Sequence, residues 1–171
     1  DVFRFADIKY GIPYAPSWGY DAMLETAYLP NSEADIRLRL QAKQKARRDT
    51  YSARLQVNWT DGQWRLRTQM NANIVADSTR QVSYGLSIHQ DIQYTFSAVP
   101  LTLQLRLQGF DARHYYNRIY NYENDVLYGY SVPAVYGQGG RIYLNMRWQI
   151  IRQLGLYLRV SNTVYAPSWV A

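Results

Sequence analysis

The sequence predicts an all-β protein: an antiparallel up-and-down transmembrane β-barrel of about ten strands, or part of a larger barrel. Three observations predict it. Apolar residues alternate at period two with Arg, Gln and Asn, as in Asp35-Ile36-Arg37-Leu38-Arg39-Leu40-Gln41 and Leu101-Thr102-Leu103-Gln104-Leu105-Arg106-Leu107-Gln108. Successive strand side chains point to opposite sides, so such runs are strands with one greasy and one wet face. Most of these segments run ten residues or longer; globular strands run about five or six, and a tilted bilayer-crossing strand needs about nine to eleven. Finally, 16 of the 19 basic residues are arginine and glutamate occurs only at Glu25, Glu33 and Glu123. A soluble sheet covers its wet face with Lys and Glu, whereas Arg, Gln, Asn, Ser and Thr suit a confined, hydrogen-bonded lumen.

The candidate strands follow in order. Val2–Lys9, Tyr20–Leu29, Ala34–Gln44, Thr50–Trp59 and Gln63–Val75 come first, then Gln81–Tyr94, Leu101–Phe110, Val126–Pro133, Arg141–Gln149 and Leu154–Val164. Turn composition separates them at Pro30-Asn31-Ser32, Arg47-Arg48-Asp49, Asp61-Gly62, Asp77-Ser78-Thr79, Val99-Pro100 and Gly137-Gln138-Gly139-Gly140. Short turns between consecutive strands specify an antiparallel meander, and no segment reads as a helix. An even strand number puts both termini on one side, the periplasmic side of an outer-membrane barrel. The turns at Pro30–Ser32, Thr60–Gly62, Val99–Pro100 and Tyr136–Gly140 are then expected to be periplasmic, with Gly11–Gly19 and Asp111–Asp125 outside. Residues 1–171 are read as one barrel domain or a barrel fragment.

No apolar run approaches the roughly 18 residues of a transmembrane helix. The chain begins at Asp1 without a methionine or signal peptide, as expected of a mature form or a fragment. It contains no cysteine, which fits a bacterial envelope protein without requiring one. A formal charge of +6 and a pI near 9.5 would suit nucleic acid or anionic lipid. The arginines alternate along strands instead of clustering, so no nucleic acid is expected. The expected partners are outer-membrane lipid and lipopolysaccharide, with other envelope proteins as further candidates.

Trp59 and Trp64 sit on the apolar faces of neighbouring strands beside the Thr60–Gln63 turn, and Trp148 ends the apolar face of its strand. Tyr94 and Phe96 lie near the end of theirs. Amphipathic rings prefer the headgroup level, so these residues are expected to form a membrane-interface girdle; capping a sandwich core is the alternative. Tyr-Ala-Pro-Ser-Trp occurs twice, at Tyr14–Trp18 and Tyr165–Trp169, and reads as a recurring interfacial anchor. Between Phe110 and Tyr143 tyrosine is dense. Tyr115, Tyr116, Tyr120 and Tyr122 are candidates for binding a sugar or a partner, or for packing a long loop over the barrel mouth.

Catalytic chemistry has one thin signal. Ser87, His89 and Asp91 share the polar face of one strand, and His89 with Ser87 is the pair an outer-membrane lipid hydrolase would use. Side chains two apart in a strand are held roughly 7 Å apart, which favours a lumen-lining histidine over a general base. No Cys/His metal spacing and no phosphate-binding glycine loop occur, so neither a metal nor a cofactor is expected. Glu123 and Asp125 are the nearest approach to a carboxylate pair, and pairing with Arg118 or solvation is expected of them.

The other constellation is basic. Arg37, Arg39, Arg54, Arg65, Arg67, Arg106, Arg147 and Arg159 fall on polar faces, with Glu25, Asp91 and Asp7 as the visible acids. An open lumen lined this way attracts anions, and a closed one binds the carboxylates of a plug. Ten strands enclose little more than their own side chains, so a self-contained barrel is expected to be filled.

The run from Tyr116-Asn117-Arg118-Ile119-Tyr120-Asn121-Tyr122-Glu123-Asn124-Asp125-Val126-Leu127-Tyr128 through Tyr136-Gly137-Gln138-Gly139 to Asn145 resembles the C-terminal region of a Bacteroidota family of outer-membrane proteins. Members of that family carry an N-terminal helix-hairpin-helix region. The resemblance implies that this chain is the C-terminal part of a barrel preceded by further strands, and it carries no activity onto any residue. The end departs from the usual terminal aromatic of such barrels: either Trp169 substitutes for it or Ala171 is not the natural terminus.

The expectation is thus a non-enzymatic, integral outer-membrane barrel with a structural, docking or porin-like transport role. A small lipid-modifying hydrolase and a soluble lipocalin-like barrel, whose apolar face would line a ligand cavity, are the alternatives.

Overall fold

Period-two alternation carries the chain into one antiparallel meander. The computed structural model describes residues 2–5, 17–45, 48–77, 81–124 and 132–167. Its strands are β1 (Val2–Phe5), β2 (Ser17–Tyr28), β3 (Ala34–Lys45), β4 (Arg48–Asp61), β5 (Trp64–Ala76) and β6 (Val82–Thr95), then β7 (Leu101–Ala112), β8 (Ile119–Tyr120), β9 (Ala134–Val135), β10 (Gly137–Ile151) and β11 (Leu154–Tyr165). Nine form one sheet in the order β1-β2-β3-β4-β5-β6-β7-β10-β11, and β8 pairs separately with β9. Eight of the nine run 12 to 15 residues. Among the described residues β1 and β11 end the sheet and do not pair with each other.

Two expectations are corrected. Of the strand expected over Val126–Pro133, residues 126–131 lie outside the described residues, and Val132 and Pro133 are not in a strand. β7 pairs directly with β10 from Ala112↔Gly137 to Leu101↔Trp148, so no strand stands between them. The expected turn at Tyr136–Gly140 is not a turn with the others: Gly137–Gly140 open β10, at the end of the sheet where β7 finishes. Its glycines serve close approach, since a Cβ on Gly139 would lie 2.3 Å from the Val164 carbonyl oxygen of β11. The fourth short turn is Arg152-Gln153. It joins the other short turns at one end, where Thr60 N donates to Glu33 O at 2.7 Å and Gln149 N to Pro100 O at 2.9 Å. The β4–β5 turn uses Gly62 at φ 53°, a backbone region that favours glycine. Residues 6–9 of the first expected strand, 14–16 and 168–169 of the two Tyr-Ala-Pro-Ser-Trp copies, Arg47 and Asp125 lie outside the described residues.

Burial of the two faces is the reverse of a soluble protein's. The polar face supplies Asn71, His89, Asp91 and Arg106 at 6, 2, 3 and 1 % exposure, while Leu24, Leu86 and Leu158 on the other face are 65, 51 and 48 % exposed. Along β6 the alternation is residue by residue, with Leu86 and Ile88 exposed and Ser87 and His89 buried between and beside them. Among the described residues buried apolar side chains are few: Phe110, Ile119 and Val135 form a small cluster, and Val75, Ala112 and Tyr143 are also buried. Polar residues on the apolar face pair with each other: the Thr68 hydroxyl donates to Gln90 Oε1 at 2.5 Å in mid-sheet, and toward the opposite end from the short turns Gln44 Nε2 donates to Asp49 Oδ1 at 3.0 Å.

Aromatic side chains mark the short-turn end of the apolar face. Trp64 and Tyr94 lie 4.6 Å apart between ring centroids, and Tyr94 meets Phe96 edge-on at 4.7 Å. Trp59 and Trp148 share that end, 37 and 38 % exposed. Tyr84 stands ten residues from Tyr94 on the same face of β6, at the opposite end.

Candidate functional site

The segment after β7 does not stay outside the sheet; it folds across the polar face. A 3-10 turn at Tyr115–Asn117 reverses the chain, and β8 continues it with an alternation of its own. Ile119, Asn121 and Glu123 are buried while Tyr120 and Tyr122 are exposed, so the segment turns its short polar residues toward the sheet.

Three consecutive residues then collect contacts from five strands. From β5, Gln69 Nε2 and Asn71 Nδ2 donate to Asn121 Oδ1 at 3.3 and 3.1 Å. Asn121 Nδ2 donates to the Ser87 hydroxyl of β6 at 3.4 Å. Arg106 Nη1 of β7 donates to the Tyr122 carbonyl at 2.8 Å. Arg141 of β10 holds both Glu123 oxygens at 2.7 and 3.0 Å, and Arg159 of β11 donates to the same carboxylate. Five flat strands would span about 19 Å, whereas three extended residues span about 7 Å. The sheet therefore curls round the segment, and the long arginines cover the remaining distance. Asn124 Nδ2 adds a bond to Gln104 Oε1 at 2.5 Å.

Glu123 is fully buried between its two arginines, so the expectation that it pairs with Arg118 or is solvated is corrected. A buried carboxylate requires such complete pairing to persist. Beneath it, Arg106 and Asp91 form a bidentate pair at 2.5 and 2.6 Å with both side chains at 5 % exposure or less.

The Ser87, His89 and Asp91 constellation lies under this segment without the contacts of a triad. Asp91 is engaged by Arg106, and the Ser87 hydroxyl accepts from Asn71 and Asn121. Neither ring nitrogen of His89 has a hydrogen-bond partner among the described residues. Its cross-strand neighbour Gln108 is likewise buried with its amide unpartnered.

All eight arginines named from the sequence stand on the polar face, and their surroundings differ along the sheet. Arg37 meets Asp35 at 3.1 Å and Arg39 meets Glu25 at 2.5 Å, both on the β2–β3 side of the sheet. Arg54 Nε donates to Asn71 Oδ1 at 2.8 Å and Arg67 Nε to Asn58 Oδ1 at 3.1 Å. Arg65 and Arg67 line a small pocket with Asp91, Gln93, Gln104 and Asn124. Arg147 lies 5.8 Å from the Tyr157 ring. Arg106 and Arg159 hold the inserted segment.

Sequence reading missed Arg141, Asn117 and Asn121. Arg141 has the parity of Tyr143, Asn145 and Arg147 and was open to the same argument. The two asparagines were hidden among tyrosines, although Asn121 and Glu123 show the period-two spacing.

Tyr115, Tyr116 and Tyr120 face a cleft of about 890 Å³ over β3, β4 and β5, also lined by Lys43, Lys45, Arg48 and Arg118. The Tyr120 hydroxyl accepts from Arg118 Nε at 2.5 Å, which raises that guanidinium above its ordinary value. Tyr122 is half exposed on the outer side of the segment. Among the described residues no group of acids and histidines is placed to hold a metal ion. No family model, no curated protein and no solved structure matches the chain.

Proposed function

We propose that this chain is an integral β-barrel, or part of one, in a bacterial outer membrane, with a structural, docking or transport role and a lumen occupied by residues 113–124. The inverted burial carries the reading. In water, exposing Leu24, Leu86 and Leu158 while burying Arg106, His89 and Glu123 is unfavourable on both counts; against lipid the apolar face is where it should be. Among the described residues no helix is long and apolar enough to cross a membrane. The strands of 12 to 15 residues match the length that a tilted bilayer-crossing strand needs. Trp59, Trp64 and Trp148 then belong at one interface, with lipid and lipopolysaccharide as the surrounding partners and other envelope proteins at the loops. The resemblance to the Bacteroidota outer-membrane family belongs to the same proposal.

The inserted segment favours a filled scaffold or docking barrel over an open porin-like pore, because its contacts span five of the strands. The lipid-hydrolase alternative requires a serine–histidine contact, and Ser87 is bonded to asparagines instead. The lipocalin-like alternative requires the apolar face to line a cavity, and that face is the exposed one.

Cell fractionation and detergent dependence test the reading together. The protein is expected in the outer-membrane fraction, resistant to alkaline carbonate, and monodisperse only with detergent. A folded, monodisperse monomer in detergent-free buffer overturns it. Ser87→Ala and His89→Ala are expected to leave membrane lipid profiles unchanged, and lost lipid hydrolysis in either variant would overturn the non-enzymatic assignment.

A further inference from the structure

We propose that the cleft between the tyrosine segment and the loop end of β3–β5 binds an acidic saccharide, a sugar chain bearing a carboxylate or phosphate. Its volume of about 890 Å³ falls within the range of small-molecule sites. Lys43, Lys45, Arg48 and Arg118 line it, and among the described residues no carboxylate does. Lys43 is held at 2.7 Å by Asp21. Lys45 and Arg48, by contrast, are directly opposed across the β3–β4 ladder. Like charges so placed destabilise a hairpin, and a bound anion relieves them.

Arg48 is set for such an anion. Its guanidinium lies 3.5 Å from the centre of the Tyr116 ring, and its Nε is buried without a partner among the described residues. With its flat face on a ring, an arginine keeps its edge donors for a planar or tetrahedral anion. Arg118 is fixed by Tyr120 and by the Tyr115 carbonyl at 3.2 Å, with its guanidinium 4.2 Å over the Tyr115 ring. These contacts hold two guanidinium groups in place before any ligand arrives, which lowers the ordering cost of binding.

A bare anion needs only the cations; the rest of the lining specifies a sugar. Tyr115, Tyr116 and Tyr120 are 60, 55 and 49 % exposed although they border the cleft, so, beside the arginines on Tyr115 and Tyr116, aromatic surface remains for the C–H face of a pyranose. Gln41, Ser52 and Asn73 supply amides and a hydroxyl that match sugar hydroxyls as donors and acceptors. An adjoining pocket of about 210 Å³ shares these three residues and adds Arg39 and Arg54, extending the path toward the sheet. The cleft opens on the polar face, so its occupancy is independent of what surrounds the apolar one.

Titration calorimetry on the full chain, in whichever of detergent or plain buffer keeps it folded, tests this with four probes: trigalacturonate, a diphosphorylated glucosamine disaccharide without acyl chains, neutral maltotriose and inorganic phosphate. At least one acidic saccharide is expected to bind about tenfold or more tighter than both maltotriose and phosphate, and whichever does so identifies the anion. Lys45→Gln and Tyr116→Leu are each expected to weaken that binding about fivefold with circular dichroism unchanged. Equal binding of maltotriose overturns the role of charge, and equal binding of phosphate reduces the cleft to a bare anion site. Absence of saccharide binding, or binding unmoved by both variants, overturns the proposal.

Discussion

Leu38-Arg39-Leu40 of β3 and Leu105-Arg106-Leu107 of β7 present the same local sequence, yet the two arginines occupy opposite surroundings. The Arg39 side chain is 41 % exposed beside a Glu25 at 35 %; that of Arg106 is 1 % exposed and its Asp91 partner 5 %. Strand geometry places both on the polar face and does not separate them. What separates them is the segment 113–124, whose residues 121–123 bond to β5, β6, β7, β10 and β11 and not to β2 or β3. An exposed pair of this kind contributes little because water and salt screen it. A covered pair has lost its hydration, and its stability depends on every remaining bond being made.

Arg106→Leu should break this contrast most severely, because it leaves Asp91 buried without its bidentate partner and removes the Nη1 bond to the Tyr122 carbonyl. A loss of about 3–5 kcal/mol is expected in denaturant unfolding. Glu123→Gln keeps the shape but removes the charge that Arg141 and Arg159 share. The expected loss is about 2–3 kcal/mol, together with faster proteolysis within residues 113–124. Gly85→Ala tests the covering from the sheet side: the added Cβ would lie 2.7 Å from the Asn117 carbonyl oxygen and 2.9 Å from Asn73 Oδ1. A cost of about 1–3 kcal/mol is expected, again with protease access to the segment as the readout. At the open edge, Arg39→Gln should cost under about 1 kcal/mol and shrink further in high salt. If Arg39→Gln proved as damaging as Arg106→Leu, the contrast between covered and open regions would be wrong.

Local pattern made the strands legible, since one residue decides each face and the period is short. Leu101–Gln108 and Ile142–Trp148 needed nothing beyond their own sequence. The glycines of Gly137–Gly140 misled because composition reads them as a turn, whereas their task is to let β11 approach, a relation between residues far apart in the chain. The inserted segment was harder still. Its anchors, Asn121 and Glu123, are defined by partners 18 to 52 residues away, and no local rule ranks them above the tyrosines that surround them. Glu123 meets Arg141 and Arg159, strand residues that only the long-range fold brings to it, where its own neighbourhood in the chain offered Arg118 or solvent.

The ten residues from Tyr84 to Tyr94 carry a consequence for where such a protein resides. If the chain crosses a bilayer as proposed, then at about 3.3 Å per residue and a tilt near 40° the two rings stand about 25 Å apart along the membrane normal. On that proposal hydrophobic mismatch becomes a sorting force: a bilayer of shorter acyl chains would accommodate the sheet without deformation, and a thicker one would have to thin around it at a cost that grows with each ångström. On that proposal insertion into vesicles of graded acyl length is expected to peak in short-chain lipid, and a peak in long-chain lipid would break it.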